Sequence, residues 1–342
     1  MARFILSKSK VLEQYNSLKG FGIISYSFKT NPIVGKILED STDCMFSVHF
    51  INELKLINDR RRVWFLAQAL DKEILERLFA MGVSKFVIEN MEDLDALISY
   101  ITQHNKEIEL LLRMKLKEHT IKTEKYYVFG IESDVVNQKV LELKSNRLIK
   151  KLGIHIHRKT QNVSEWDLKR ELSEIILPEV LETIDYLDIG GGIPVLYKNI
   201  TDRIIPTVLE KLDEAKQWLS SARVHMIIEP GRYISGPAIR LETKIVGMHG
   251  STIVVDASVY NASPDTLIVP IKLMIEGESE QGKPYVVKGI TPCSTDIFRY
   301  RAYFPESRKL KKGDKMIFLN AGAYNFHTEF CELDKVATEV VD

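Results

Sequence analysis

Cysteine is scarce in this chain. Cys44, Cys293 and Cys331 are odd in number and widely spaced, which fits a reducing compartment better than a disulfide framework, so a cytoplasmic protein is expected. Charge of one sign is missing as well. Lys+Arg and Asp+Glu both count 47, leaving no electrostatic basis for binding nucleic acid or an acidic membrane surface. No apolar run approaches the ~18 residues of a membrane span, and the N-terminal MARFILSKSK carries too short an apolar run for a signal peptide. There are no internal repeats and no low-complexity segments. An early G-x-G-x-x-G turn is also lacking, which argues against a doubly wound dinucleotide-binding sheet.

What is present is a chain of 342 residues, 45% hydrophobic, long enough for two domains or one large barrel with an appendage. Eight strand-like runs, at 23–29, 45–50, 63–67, 85–89, 108–114, 152–157, 186–190 and 225–229, mostly alternate with helical patterns. The helices are expected over 71–81 (capped by Asp71, with Ile74, Leu75 and Leu78 on one face), 91–104, 164–183 and 200–221. This is the arithmetic of an α/β chain with a (β/α)8 TIM-like barrel. From 238 onward the texture is strand-rich without helices, with runs at 239–248, 252–256, 266–274, 285–287 and 315–319. The reading is therefore a barrel over 20–237 and a β domain made of 238–342 with 1–19, the first strand, Phe4-Ile5-Leu6, joining it. The loop 115–133 is long and stands where a barrel keeps its active-site loops.

Barrel chemistry sits at the C-terminal ends of the strands. In 22–32, GIISYSFKTNP, Ile24, Tyr26 and Phe28 alternate with Ser25, Ser27 and Lys29, and Asn31-Pro32 stops the run. With the serine face inward, Lys29 ends in a poorly solvated place where its amine becomes nucleophilic; the plain alternative is a strand-end lysine reaching solvent. Arg113 ends the fifth run. His155 and His157 share a face of the sixth; the rest of a zinc set is missing, so no metal is expected, and a flat imidazole stacked on a planar ligand is the better use of His155. Gly190-Gly191-Gly192 after the seventh run is either a phosphate cradle or an ordinary turn. Glu229 and Arg232 at the eighth are either ligand groups or an ion pair. An amine for an aldehyde, an imidazole for a flat ring, glycines for a phosphate and a carboxylate for a ring nitrogen together describe pyridoxal 5'-phosphate.

With these residues in place the chain resembles the fold-type III pyridoxal-phosphate decarboxylases (the alanine racemase-like fold), the ornithine/diaminopimelate/arginine decarboxylase group. Tyr26-Ser27-Phe28-Lys29-Thr30-Asn31 resembles the Y-x-x-K-x-N of the cofactor lysine. Phe129-Gly130 stands at the K-F-G, with Val128 for its lysine. His155 falls on the ring-stacking histidine. Asp188–Gly192 and Glu229–Arg232 resemble the glycine turn and the E-P-G-R motif. Gly322-Ala323-Tyr324 resembles the G-A-Y whose tyrosine reaches the phosphate, and Cys293 in TPCSTD falls on the cysteine that protonates the product carbon.

The chain departs from the group in places. The H-x-G-S is here His155-Ile156-His157-Arg158, and this H-x-H, like the stretch 261–270, is more similar to carboxynorspermidine decarboxylases. F-D-V-A is Phe46-Ser47-Val48-His49, C-x-x-x-D is shortened to Cys293 and Asp296, and Leu267-Ile268 stands where ornithine enzymes have a Tyr-Asp pair.

The resemblance implies decarboxylation of a basic amino acid to its amine, as in polyamine synthesis, with a diaminopimelate or carboxynorspermidine type as the alternative. It implies Lys29, Glu229, His155 and Cys293 as catalytic residues. Gly190, Gly191, Gly192, Gly231, Arg232 and Tyr324 join Lys29, His155 and Glu229 in holding the cofactor. Asp296, Asp265, His157 and Arg113 are expected toward the substrate. It further implies a homodimer in which the Cys293 loop closes the partner's barrel site. Racemases of this fold place an arginine at the ring nitrogen, so Glu229 favours decarboxylation over racemisation; a non-catalytic cofactor carrier resembles a lone barrel, and a sugar-phosphate aldolase would use Lys29 alone.

Overall fold

The computed structural model describes residues 1–116, 129–269, 271–325 and 327–342, so Val128 and most of the 115–133 loop lie outside the described residues. The chain forms two compact units: Asn16–Pro194 with Ile205–Gly231, and Met1–Tyr15, Val195–Ile204 and Arg232–Asp342. The boundary expected at 237/238 thus lies at 231/232, and the second unit also takes Val195–Ile204. Among the described residues no helix is long and apolar enough to cross a membrane.

After β1 (Arg3–Ser7), eight parallel strands close the barrel of the first unit. They are β2 (Ile23–Ser27), β3 (Met45–Val48), β4 (Val63–Ala67), β5 (Lys85–Ile88), β6 (Ile108–Arg113), β7 (Ile149–His155), β8 (Tyr186–Asp188) and β9 (His225–Ile228). Pairing of β2 with β9, Ile23 opposite Ile227, completes the ring. Its lower interior is apolar: Trp64, Val87, Leu111 and Ile227 pack together with Met45, Leu66 and Tyr186 against them. Because side chains alternate along a strand, the residues two further on from these enter the same lumen one layer higher. Those positions include Ser47, Glu89, Arg113, Asp188 and Glu229, and the register sets Arg113 beside His155 and His155 beside Asp188. The barrel therefore turns from hydrocarbon to charge within one pleat.

Of the expected helices, Met91–His104 is found as read, capped by the Asn90 side chain on the Asp93 N–H. Lys72–Ala80 begins after Asp71, whose side chain accepts from the Ile74 N–H, with Leu75 and Leu78 buried. The single helix expected over 164–183 is two, Leu168–Ile175 and Pro178–Leu181: Pro178 cannot continue a helix and starts a new one at its first position. The last is Ile204–Ser221.

The second unit is a mixed sheet of β1 with β10 (Ile239–His249), β11 (Thr252–Val255), β12 (Met274–Ile275), β13 (Lys283–Lys288), β14 (Ile297–Phe304), β15 (Lys315–Leu319) and β16 (Ala337–Val341). β1 joins it as expected, antiparallel to β10 and parallel to β16. The strand expected over 266–274 begins instead in a short helix, Asp265–Ile268, with only Met274–Ile275 in a strand, and a second unexpected helix, Val259–Ala262, precedes it. A Ser258–Asn261 capping box starts the latter.

Gly153 tests how tightly the lumen is filled. A Cβ there would lie 2.3 Å from the Tyr186 carbonyl oxygen and 2.7 Å from Leu111 Cδ2, with backbone on one side and the core on the other. Gly153→Ala should lower the unfolding free energy by about 1–3 kcal/mol, seen as a lower urea midpoint at unchanged slope. An unaltered midpoint would mean that β7 and β8 have slack.

Candidate active site

Lys29 is not on its strand. β2 ends at Ser27, and Phe28–Thr30 form one turn of 3-10 helix, because Asn31 leaves the strand to cap Pro32–Ser41 through the Ile33 and Val34 N–H groups. The turn is clamped from both sides: the Tyr26 hydroxyl donates to the Asn31 carbonyl at 3.1 Å, and the Phe28 ring meets Phe46 edge-on at 5.8 Å. Lys29 stays open to approach on one side, and its Nζ lies 3.3 Å from His49 Nε2. Desolvation brings its pKa below that of ordinary lysine, against the pull of Glu229 and Glu53.

Above the apolar layer runs a line of polar groups. Ser25 and Ser47 hydroxyls are 2.7 Å apart, and the Ser47 hydroxyl donates to Glu229 Oε1. Glu229 Oε2 lies 3.5 Å from His155 Nε2, without hydrogen-bond geometry. The donor atoms of His155, Asp188 and Glu229 lie within 4.8 Å of one another, and all three residues are buried. Two carboxylates so placed do not both ionise in a low dielectric. Burial and the Glu229 charge push Asp188 well up, so it is the neutral acid. Burial works on Glu229 too, but His155, His157 and the Ser47 hydroxyl outweigh it and keep it the ionised one. Such a donor set could take a metal ion only if Asp188 gave up its proton.

The glycine turn is built for close approach. A Cβ on Gly190 (φ 68°) would sit 2.5 Å from the Ile156 carbonyl oxygen, and one on Gly191 2.8 Å from that of Glu229. Its N–H groups are not all open, however. Gly190 donates to Asp188 Oδ1 at 2.8 Å and Gly191 to His157 Nδ1 at 3.1 Å. His157 therefore does not share a strand face with His155: β7 ends at His155, and His157 turns to cap the glycines. Gly231 brings the end of β9 against the lysine turn, where a Cβ would meet Thr30 Oγ1 at 2.1 Å.

Other expected residues are occupied. Arg113 Nη1 donates to Glu89 at 2.8 Å and its guanidinium lies 5.2 Å from the Phe129 ring, so it is an ion-paired lumen residue. In the second unit, Arg232 makes a two-pronged buried pair with Asp265, donates to the Tyr197 hydroxyl at 3.1 Å and lies 5.3 Å from the Tyr324 ring. Asp265 is thereby committed to Arg232 rather than open to a substrate. Asp296 is fully buried and accepts from the Val259 and Thr291 N–H groups and the Thr291 hydroxyl, so its place is structural and the expectation of a substrate contact is revised. Cys293 is half-buried, its Sγ 4.0 Å from Cys331 Sγ. Sequence reading missed His49 and Ser47 as site residues; the departure of F-S-V-H from F-D-V-A was the signal.

The barrel residues fit pyridoxal phosphate on grounds of their own. Both ring nitrogens of His155, Asp188 Oδ2, His49 Nδ1 and Thr30 Oγ1 are buried without a hydrogen-bond partner, so the strand ends hold polar groups with capacity for a ligand.

These groups also set a pH dependence. Burial lowers His155, and brings His49 and His157 down to about 3. An unfolded histidine binds a proton near ~6.5, so this stability is full above that pH and is lost as pH falls. Asp188, raised in the fold, has the opposite sign: its contribution is lost as pH rises. The ligand-free protein should thus gain stability from pH 5 to 7, by up to about 1.4 kcal/mol per pH unit for each imidazole, less for the part-exposed rings of His49 and His157. Asp188→Asn should steepen that rise by removing the opposing titration. Urea midpoints that stay flat between pH 5 and 7 would contradict the assignment.

Comparison with known proteins agrees with this geometry. The diaminopimelate decarboxylase of Aquifex aeolicus is 28% identical over 278 residues, covering 76% of this chain; the chain spans 63% of that relative's length. The lysine/ornithine decarboxylase of Vibrio vulnificus complexed with putrescine has the same fold, with a TM-score of 0.82 at 20% identity, covering 100% of this chain and 94% of that one. The diaminopimelate decarboxylase of Helicobacter pylori complexed with L-lysine gives 0.80 at 18% identity, covering 100% and 92%. Residues 26–236 match the family described as pyridoxal-dependent decarboxylase, pyridoxal binding domain. With more than half its length in that match, the chain belongs to the pyridoxal-dependent decarboxylase family.

Proposed function

We propose that this protein binds pyridoxal 5'-phosphate and decarboxylates a basic amino acid to its amine, acting in the cytoplasm in polyamine or related amine synthesis. The observation that carries the reading is the ionised, buried Glu229 in one layer with His155, beside a lysine whose amine is desolvated. Bound pyridoxal phosphate supplies an electron sink for the pair left when a Cα–carboxylate bond breaks. Lys29 would hold the cofactor through its aldehyde, and His155 would offer its imidazole to the flat ring. Glu229 keeps a proton on the ring nitrogen, because a buried carboxylate without a counter-proton is costly. The backbone of Gly190, Gly191, Gly192 and Gly231 would hold the phosphate, with His157 vacating or sharing the Gly191 N–H, and Arg232 and Tyr324 would be its further partners. Cys293 returns the proton to Cα.

A second reading of the substrate has its own support. Asp265 is held by Arg232 and Asp296 by backbone amides, so neither carboxylate is open to a distal amine. A substrate whose far end carries a carboxylate, of the diaminopimelate type, is favoured on that count. Borohydride reduction of the cofactor-loaded protein followed by peptide mapping should place the pyridoxyl group on Lys29. A label on any other lysine would sink the reading. Turnover of ornithine, lysine, arginine, diaminopimelate and carboxynorspermidine then decides the substrate.

The active unit in this reading is a homodimer whose two sites each take a Cys293 loop from the partner. Lys29→Ala and Cys293→Ala should each be nearly inactive. Mixed and re-equilibrated, they should recover about a quarter of wild-type activity, since half the dimers are mixed and half their sites intact. No recovery despite proven subunit exchange would return Cys293 to its own chain's site.

A further inference from the structure

The two exposed-side cysteines are far apart in sequence but not in space. Cys293 and Cys331 are separated by 38 residues, yet their sulfurs lie 4.0 Å apart within the second unit. A disulfide needs about 2.05 Å, so the sulfurs must close by roughly half that separation, within reach of a side-chain rotation and a small loop shift. Cys293 is half-buried and Cys331 exposed, so a small oxidant has access to the pair.

The approach is built by a third residue. Tyr260 packs at a tilt against Phe330, the neighbour of Cys331, with ring centroids 4.3 Å apart, and its hydroxyl is hydrogen-bonded to Thr295, two residues past Cys293. The Thr328 N–H also donates to the Tyr260 carbonyl at 2.8 Å. One tyrosine thus holds both cysteine loops. Cys331 itself sits at φ 60°, a left-handed conformation that a non-glycine residue keeps only under constraint from its surroundings. Cys44 is the contrast: fully buried, with its thiol pushed up to about 12 by desolvation, it is not a reactive group.

We propose that Cys293 and Cys331 form a reversible disulfide within one chain. With a peroxide as oxidant, one thiol's sulfur attacks a peroxide oxygen, the O–O bond breaks and one water leaves. The second thiol then displaces the remaining oxygen as a second water and the S–S bond forms, so two thiols lose two electrons and two protons to one hydrogen peroxide. A dithiol reverses the change by exchange. The bond itself is independent of the proposed reaction; only its consequence, removal of the Cys293 proton donor, rests on that reading.

The test uses full-length reduced protein treated with graded hydrogen peroxide, capped with N-ethylmaleimide and digested without reductant. A peptide joining 293 to 331 should appear, from a chain whose mobility on a non-reducing gel is that of a monomer, and dithiothreitol should remove it. Cys44 should remain a thiol throughout. Decarboxylation should fall roughly 10-fold or more as the link forms, the scale expected when a general acid is withdrawn, and return with reductant. Cys331→Ser should keep its basal activity and give no linked peptide. If wild-type Cys293 is instead recovered as a sulfinic acid, or linked to a second chain, the proposal is overturned. If no decarboxylation is found for any substrate, the proposed function fails, while the peptide map still decides the disulfide.

Discussion

Everything in the barrel's mouth depends on two carboxylates that cannot both be charged. Asp188 and Glu229 end adjacent strands, face one lumen and are buried. Ionising both at this distance without water is too costly, so the surroundings choose. The Ser47 hydroxyl and the nearby imidazoles favour charge on Glu229. Asp188 keeps its proton and spends one oxygen on the Gly190 N–H. That single bond ties the acid pair to the glycine turn, and His157 ties the next N–H of the turn to β7. The electrostatic choice and the shape of the glycine turn are therefore one arrangement.

The lysine turn answers the same constraint from the neighbouring strand, β2. Had β2 continued, residue 29 would have been another strand position. The Asn31 cap and Pro32 end the strand early, and the resulting turn delivers Nζ to His49. A neutral imidazole beside the amine adds no charge to hold it as ammonium, whereas a carboxylate there would. Gly231 lets β9 close on this turn, since any Cβ would collide with Thr30. The lysine and the ionised carboxylate are thus kept close by backbone geometry rather than by direct pairing.

In the second unit the acidic residues serve the fold. Asp265 neutralises a buried guanidinium that would otherwise stand uncompensated, and Asp296 gathers amides of two loops. Both lie in segments where motif spacing suggested substrate contact. Side-chain identity alone does not say whether a carboxylate faces a ligand or an internal donor, because the deciding partners, Arg232 for one and Val259 and Thr291 for the other, come from elsewhere in the chain.

The sequence by itself determined the barrel, because eight apolar runs alternating with helical ones have few other ways to bury their faces, and Met91–His104 carries its own cap. It also determined which motifs carry chemistry, since lysine, glycine turn and acid follow one another at strand ends. It did not show β14, whose IFRYRAYF has two exposed residues together in mid-strand, nor β16, none of whose residues is buried and which is held by ladder bonds to β1 at the other end of the chain. Nor could it show that Ser47 would select Glu229, that His157 would cap the glycines, or that Cys331 would come to Cys293. Those pairs join residues tens to hundreds of positions apart, and local periodicity carries no information about which buried groups share a proton. Only the closed barrel and the folded sheet bring them within range of one another's charge.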